Sequence, residues 1–139
     1  MQKDDRLRIG ISGTRTWENR TAIKTFISKL KHHTNQSVVV VGLGDKCGVD
    51  PLVKKYALEF GYQYLEANLA HTPHNLYSLM SEHFYDKPFH AKNIYLRNKV
   101  FANFVDSCVL FDDQSGHNRN LVNLIGQLNK QGKRVITIT

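Results

Sequence analysis

Apolar residues gather in five short runs along the chain and recur at helical spacing between them. Leu7, Ile9 and Ile11 open the first run, a strand that stops at Gly13. Beyond the turn, Ile23, Phe26, Ile27 and Leu30 fall at i, i+3, i+4 and i+7, one stripe of a helix whose last turns carry lysines suited to its dipole. SVVVVG (37–42) is an unbroken β-branched run, the pattern of a strand covered on both faces. The turn GLGDKCGVD follows. Asp50 before Pro51 predicts a capped helix start, Leu52, Val53, Tyr56, Ala57 and Phe60 form its buried stripe, and Gly61 closes it. YQYLE (62–66) then alternates as a third strand.

From residue 67 to 91 the pattern loosens into an irregular or helical insertion, a candidate lid or oligomer contact. Thr72-Pro73 marks a helix start within it, and Leu76, Leu79, Met80 and His83 suggest a short amphipathic helix. KNIYLRNKVFANFVDS places Ile94, Tyr95, Phe101, Ala102 and Val105 on one helical face. CVLFDD is a fourth strand ending in carboxylates, Leu121, Leu124, Ile125 and Leu128 stripe a last helix, and RVITIT is the final strand.

Alternation of strand and helix predicts an α/β, Rossmann-like three-layer sandwich: a parallel sheet with helices on both faces. Strands two and four are continuously apolar and belong inside, while strands three and five alternate as edge strands do. The order 3-2-1-4-5 satisfies both. It puts the topological switch point between strands one and four, outside whose carboxyl ends ligands bind.

A length of 139 residues fits one domain, 1–139, with no repeat or linker. Apolar content of 41% and charged content of 22% are ordinary for a globular protein, and no stretch approaches the roughly 20 apolar residues of a membrane span. The charged N-terminal sequence lacks the pattern of a secretory signal, so a cytoplasmic location is expected. Cys47 and Cys108 are far apart and outside any zinc-like pair, so both are expected to be reduced, Cys108 in the core and Cys47 in a turn. A net charge of +7 attracts polyanions, but the lysines and arginines are dispersed over expected helix faces rather than clustered.

Three turns should share the rim at the switch point: Gly13-Thr14-Arg15, the segment from Gly42 through Gly44 and Gly48 to Asp50, and the segment from Asp112 to Arg119 that contains Gly116. Glycine turns feeding helix N-termini cradle anions, and Arg15 adds a forked cation suited to phosphate or carboxylate; the alternative is that Arg15 points into water. GxGxxxG after the second strand matches neither the dinucleotide fingerprint nor the P-loop. Asn98 falls on the apolar face of its helix and must be hydrogen-bonded, either to a loop backbone or to a ligand, and Arg97 beside it is a second cation near the same rim. Asp112 and Asp113 are candidate general bases or ribose ligands, or caps of their turn. His71, His74, His83 and His90 form no HExxH-like pair, so neither a metal nor a cofactor is expected.

Taken together, GISGTR, VVVVGLGDKCGVDPLVKKYALEFGYQYLEA, LRNKVFANFVDSCVLFDD and GKRVITI resemble the SLOG superfamily, in particular its YspA/YpsA-like branch. The resemblance implies a Rossmann-type domain in which Gly13, Thr14, Arg15, Gly42, Gly48, Asp50, Arg97 and Asn98 line a pocket for a nucleotide or nucleotide-derived ligand. The turn FDDQSGHNRN lacks the PGGxGTxxE of the cytokinin-activating phosphoribohydrolases, so their reaction does not carry over. Three functions are open: a sensor, carrier or sequestering protein for a nucleotide or ADP-ribose-like molecule, with a homo-oligomer among its possible states; an enzyme cleaving or transferring an N-glycosidic bond with Asp112 or Asp113; and a single-strand nucleic-acid binder stacking bases on Trp17, Tyr77 and Phe84.

Overall fold

The computed structural model describes residues 6–32, 34–68, 76–80, 91–116 and 118–139. Five strands, β1 (Leu7–Gly13), β2 (Val38–Gly42), β3 (Gln63–Glu66), β4 (Ser107–Phe111) and β5 (Arg134–Ile138), alternate with α1 (Arg20–Lys29), α2 (Val49–Glu59), α3 (Ala91–Phe104) and α4 (Arg119–Lys130). All pair in parallel, in the order β3-β2-β1-β4-β5 expected from the strand characters.

The two-residue period of a strand divides the sheet between two cores. Val38 and Val40 face α1 and α2 with Ile9, Ile11, Val109 and Phe111, whereas Val39 and Val41 face the opposite core with Cys108 and Leu110. α1 contributes Ile23 and Ile27 to the first core, and α2 adds Val53, Tyr56 and Ala57. α3 and α4 fill the second with Phe101, Ala102, Leu121, Leu124 and Leu128. β2, buried throughout, is thus apolar on both sides because both sides are covered.

Three expectations change. Tyr95 does not share the buried face of α3; it is exposed, and Arg97 and Asn98 are buried instead. Residues 76–80 are not helical. Ser78 bridges Glu66 in parallel, the Glu66 N–H donates to the Tyr77 carbonyl and the Leu79 N–H to the Glu66 carbonyl, so this stretch extends the pairing at the end of β3 and leaves Leu76 88% exposed. Helical spacing of Leu76, Leu79 and Met80 lost to an open sheet edge with unpaired backbone groups. Trp17 is buried, its indole N–H donating to the Asn19 carbonyl and its ring meeting Phe111 edge-on, so it offers no face to a base. Thr72, Pro73, Phe84 and the four histidines of the insertion lie outside the described residues. No helix among the described residues is long and apolar enough to cross a membrane.

Candidate functional site

β1 ends beside β4 with no room for a side chain at Gly13: a Cβ there would lie 2.0 Å from the Phe111 carbonyl oxygen. That carbonyl accepts the Thr14 N–H at 3.0 Å. Thr14 is itself buried and ties three turns together. Its hydroxyl oxygen accepts the Asp113 N–H at 3.3 Å, and its carbonyl accepts the N–H groups of Trp17 at 3.4 Å and Val49 at 3.3 Å. The next residue, Arg15, is exposed and forms part of the wall of a cleft.

The start of α2 is pressed against the same turn. Gly48 has φ +75, and a Cβ on it would sit 2.3 Å from the Thr14 carbonyl oxygen and 2.5 Å from the Arg15 Cα. A side chain here would be strained twice, by its backbone conformation and by backbone atoms that cannot step aside. Gly48, not Asp50, is therefore the residue before the helix, and it provides no side-chain cap. Asp50 falls inside the first turn and points back beneath the β2–α2 turn, 2% exposed. Its Oδ1 accepts from the Ser12 hydroxyl at 2.7 Å and its Oδ2 from the Asp45 N–H at 3.2 Å. Burial, and then the nearby Asp45 charge, push the Asp50 carboxyl up to about 7, against the opposing pull of those hydrogen bonds and of Arg97.

α3 brings Arg97 and Asn98 to the rim from the other face, 1% and 0% exposed. Asn98 is satisfied within the protein, chiefly by side chains of α4 rather than by a loop backbone. Its Nδ2 donates to Asn120 Oδ1 at 2.8 Å and Asn123 Oδ1 at 3.1 Å, and its Oδ1 accepts from Arg97 Nε and Nη2 at 3.4 and 3.3 Å. Arg97 Nη2 also donates to Asn120 Oδ1 at 3.1 Å, and Nη1 lies 3.5 Å from Asp45 Oδ1. Burial works against the guanidinium charge, while the Asp45 and Asp50 carboxylates favour it.

These elements enclose an open cleft of about 690 Å³ at the carboxyl end of the sheet, lined by Gly13, Arg15, Gly44, Asp45, Lys46, Asn68, Ile94, Arg97, Asn118 and Asn120. Four of the residues singled out in the sequence line it: Gly13, Arg15, Gly44 and Arg97. Thr14, Gly42, Gly48, Asp50 and Asn98 are not in its lining; the bonds and close contacts of Thr14, Gly48, Asp50 and Asn98 build its walls from behind. Gly42 is packed against the Tyr64 hydroxyl, 2.6 Å from where its Cβ would be. Asp112, Asp113 and Gly116 belong to the β4–α4 turn and are likewise outside the lining.

Asp112 accepts the Gln114 N–H, and Asp113 accepts from the Thr16 hydroxyl at 2.6 Å and the Ser115 N–H at 3.0 Å. Those bonds hold the Asp113 carboxyl below the usual carboxylate range. Both aspartates therefore organise their turn, the capping alternative raised by the sequence. Asp45, Lys46, Asn68, Asn118 and Asn120 are lining residues that pattern reading missed. A polar residue in a turn or at a helix start has no periodic signature, although Asn118 does bear the mark of an N-cap and accepts the Leu121 N–H at 3.0 Å. Asn68 is held by its Nδ2 donating to Glu66 Oε2 at 2.8 Å. Among the described residues no three of His, Cys, Asp and Glu are placed to hold a metal ion.

No family model matches the chain, and no curated protein sequence matches it. Solved structures do match. The molybdenum cofactor binding protein from the phototrophic bacterium Rippkaea orientalis aligns with a TM-score of 0.63 at 16% identity, over 95% of this chain and 76% of that one. The molybdenum cofactor carrier protein from Chlamydomonas reinhardtii aligns with a TM-score of 0.59 at 19% identity, again over 95% of this chain and 76% of that one. At such identities the likeness is one of fold.

Proposed function

We propose that the cleft binds an anionic small molecule, a nucleotide or nucleotide-derived compound, and that the protein acts as its carrier, sensor or sequestering partner. The observation that carries this reading is the concentration of cations: among the described residues, Arg15, Lys46 and Arg97 all line one cleft at the switch point, against the single carboxylate of Asp45. A guanidinium fork and an ammonium around a concave site favour phosphate or carboxylate groups. The carrier role is supported by the fold shared with a molybdenum cofactor carrier protein and a molybdenum cofactor binding protein, which makes that cofactor a member of the panel to be tested. The nucleotide class rests on the SLOG resemblance of the glycine turns. An N-glycosidic activity is less well supported, since Asp112 and Asp113 are engaged in their own turn and lie outside the cleft lining.

Mass spectrometry of small molecules released from purified protein, followed by calorimetric titration with nucleotides and the molybdenum cofactor, tests this reading. Arg15→Ala is expected to weaken the best ligand about tenfold or more, the size of a lost charged hydrogen bond. Undiminished binding in that variant, or release of free base from nucleosides by the wild type, would count against it.

A further inference from the structure

Arg97 is a charged side chain buried almost completely, and a buried guanidinium needs an anion beside it. Asp45 supplies one. The contact is long: Nη1 lies 3.5 Å from Oδ1, where a well-formed charge-assisted bond is about 2.7–2.9 Å. The other nitrogens of Arg97 are held by Asn98 and Asn120, so the guanidinium is fixed in place whether or not Asp45 is there. The carboxylate is the more accessible partner, its side chain 16% exposed against 2% for Arg97, and both groups line the cleft. It lies on the irregular stretch between β2 and α2, flanked by Gly44 and Gly48. It is also crowded by a second acid: the Asp45 N–H is tied to Asp50 Oδ2, which sets two carboxyl groups against one guanidinium.

We infer that Arg97 is a second anion subsite on the floor of the cleft, occupied by the Asp45 carboxylate as a stand-in that an anionic group of the ligand displaces. This rests on the reading of the cleft as an anion site and deepens it. Arg15 and Lys46 take one anionic group at the mouth, and Arg97 takes another once Asp45 has swung out, so the preferred ligand class carries two separated anionic groups, as a diphosphate does. Displacement exchanges one anion for another at a preformed guanidinium and separates Asp45 from Asp50. Ligand entry is thereby coupled to a movement of the β2–α2 turn.

Wild type, Asp45→Asn and Arg15→Ala are titrated with inorganic phosphate and with pyrophosphate at constant ionic strength. In parallel, the Arg97 side-chain Nε–H resonance of the wild type is followed by nitrogen-edited NMR, which requires no variant to fold. The expected result is that Asp45→Asn binds pyrophosphate about tenfold more tightly than wild type, and that pyrophosphate shifts the Arg97 resonance. If pyrophosphate binds the wild type through Arg15 while Asp45→Asn is no tighter and the Arg97 resonance stays still, the stand-in is overturned and the anion cleft survives. If neither phosphate nor pyrophosphate binds wild type or Asp45→Asn, both fall.

Discussion

α1 and α2 cover one face of the sheet with an apolar core that reaches the rim, where Trp17 and Phe26 meet Phe111 edge-on, while α3 and α4 cover the other with an apolar core that gives way at the rim to Arg97, Asn98, Asn120 and Asn123. The first arrangement stabilises by burial and dispersion. The second replaces packed side chains with a hydrogen-bonded network whose net contribution is small, because each group was already solvated in the unfolded chain. What the network does is hold a guanidinium at a fixed position in the cleft wall. One face supports the fold, and the other trades some packing for a preorganised charge.

That contrast can be broken from the apolar side first. Ile27→Ala, at a fully buried position of α1, is expected to lower stability by about 2–5 kcal/mol in urea unfolding while leaving the affinity for pyrophosphate unchanged. A loss of affinity together with stability would mean that the two faces are not separable.

Asp50, at the junction of the two, makes stability pH-dependent. Its folded carboxyl titrates near 7 against an ordinary 3.8, so the folded protein keeps this proton at pH values where the unfolded chain has lost it. Its contribution to stability is therefore most favourable below about 3.8 and is lost as pH rises through about 7, with a ceiling of about 4 kcal/mol. Asp50→Asn should abolish that part of the slope. Unfolding free energies of the two proteins between pH 4 and 8 are expected to converge or cross in favour of the variant as pH rises, and parallel curves would refute the assignment.

Asn98→Leu sharpens the comparison on the polar face. It keeps the size of the side chain but removes the acceptor for Arg97 and the donor to Asn120 and Asn123, and is expected to cost about 1–3 kcal/mol and to weaken pyrophosphate binding as well. The smallest effect on stability belongs to Arg15→Ala, within about 0.5 kcal/mol because the side chain is exposed, which isolates its expected effect on ligand affinity from any on folding.

Much of this is legible in the amino-acid sequence. SVVVVG could only be a strand covered on both faces, and the alternation in YQYLE and RVITIT set the edges, which together order the sheet. Asn98 was visible as a polar residue in an apolar stripe, and the demand that something satisfy it is met by Asn120 and Asn123. Asp50-Pro51 misled because the local chemistry of a cap is indistinguishable from that of an acid in the first turn; the choice was made by Gly48 packing on Thr14 and Arg15, and by Ser12 lying within reach of the carboxylate.

Periodicity and turn chemistry act over a few residues, and from them the sequence by itself determined the five strands, the four helices between them, the order of the sheet and the rim where the turns must meet, but not the stretch after β3. Which side chains line the cleft was decided only by the tertiary structure. The Arg97–Asp45 pair spans 52 positions of sequence and the Ser12–Asp50 bond 38, and such contacts depend on distance and burial after the helices have docked, which no local pattern encodes.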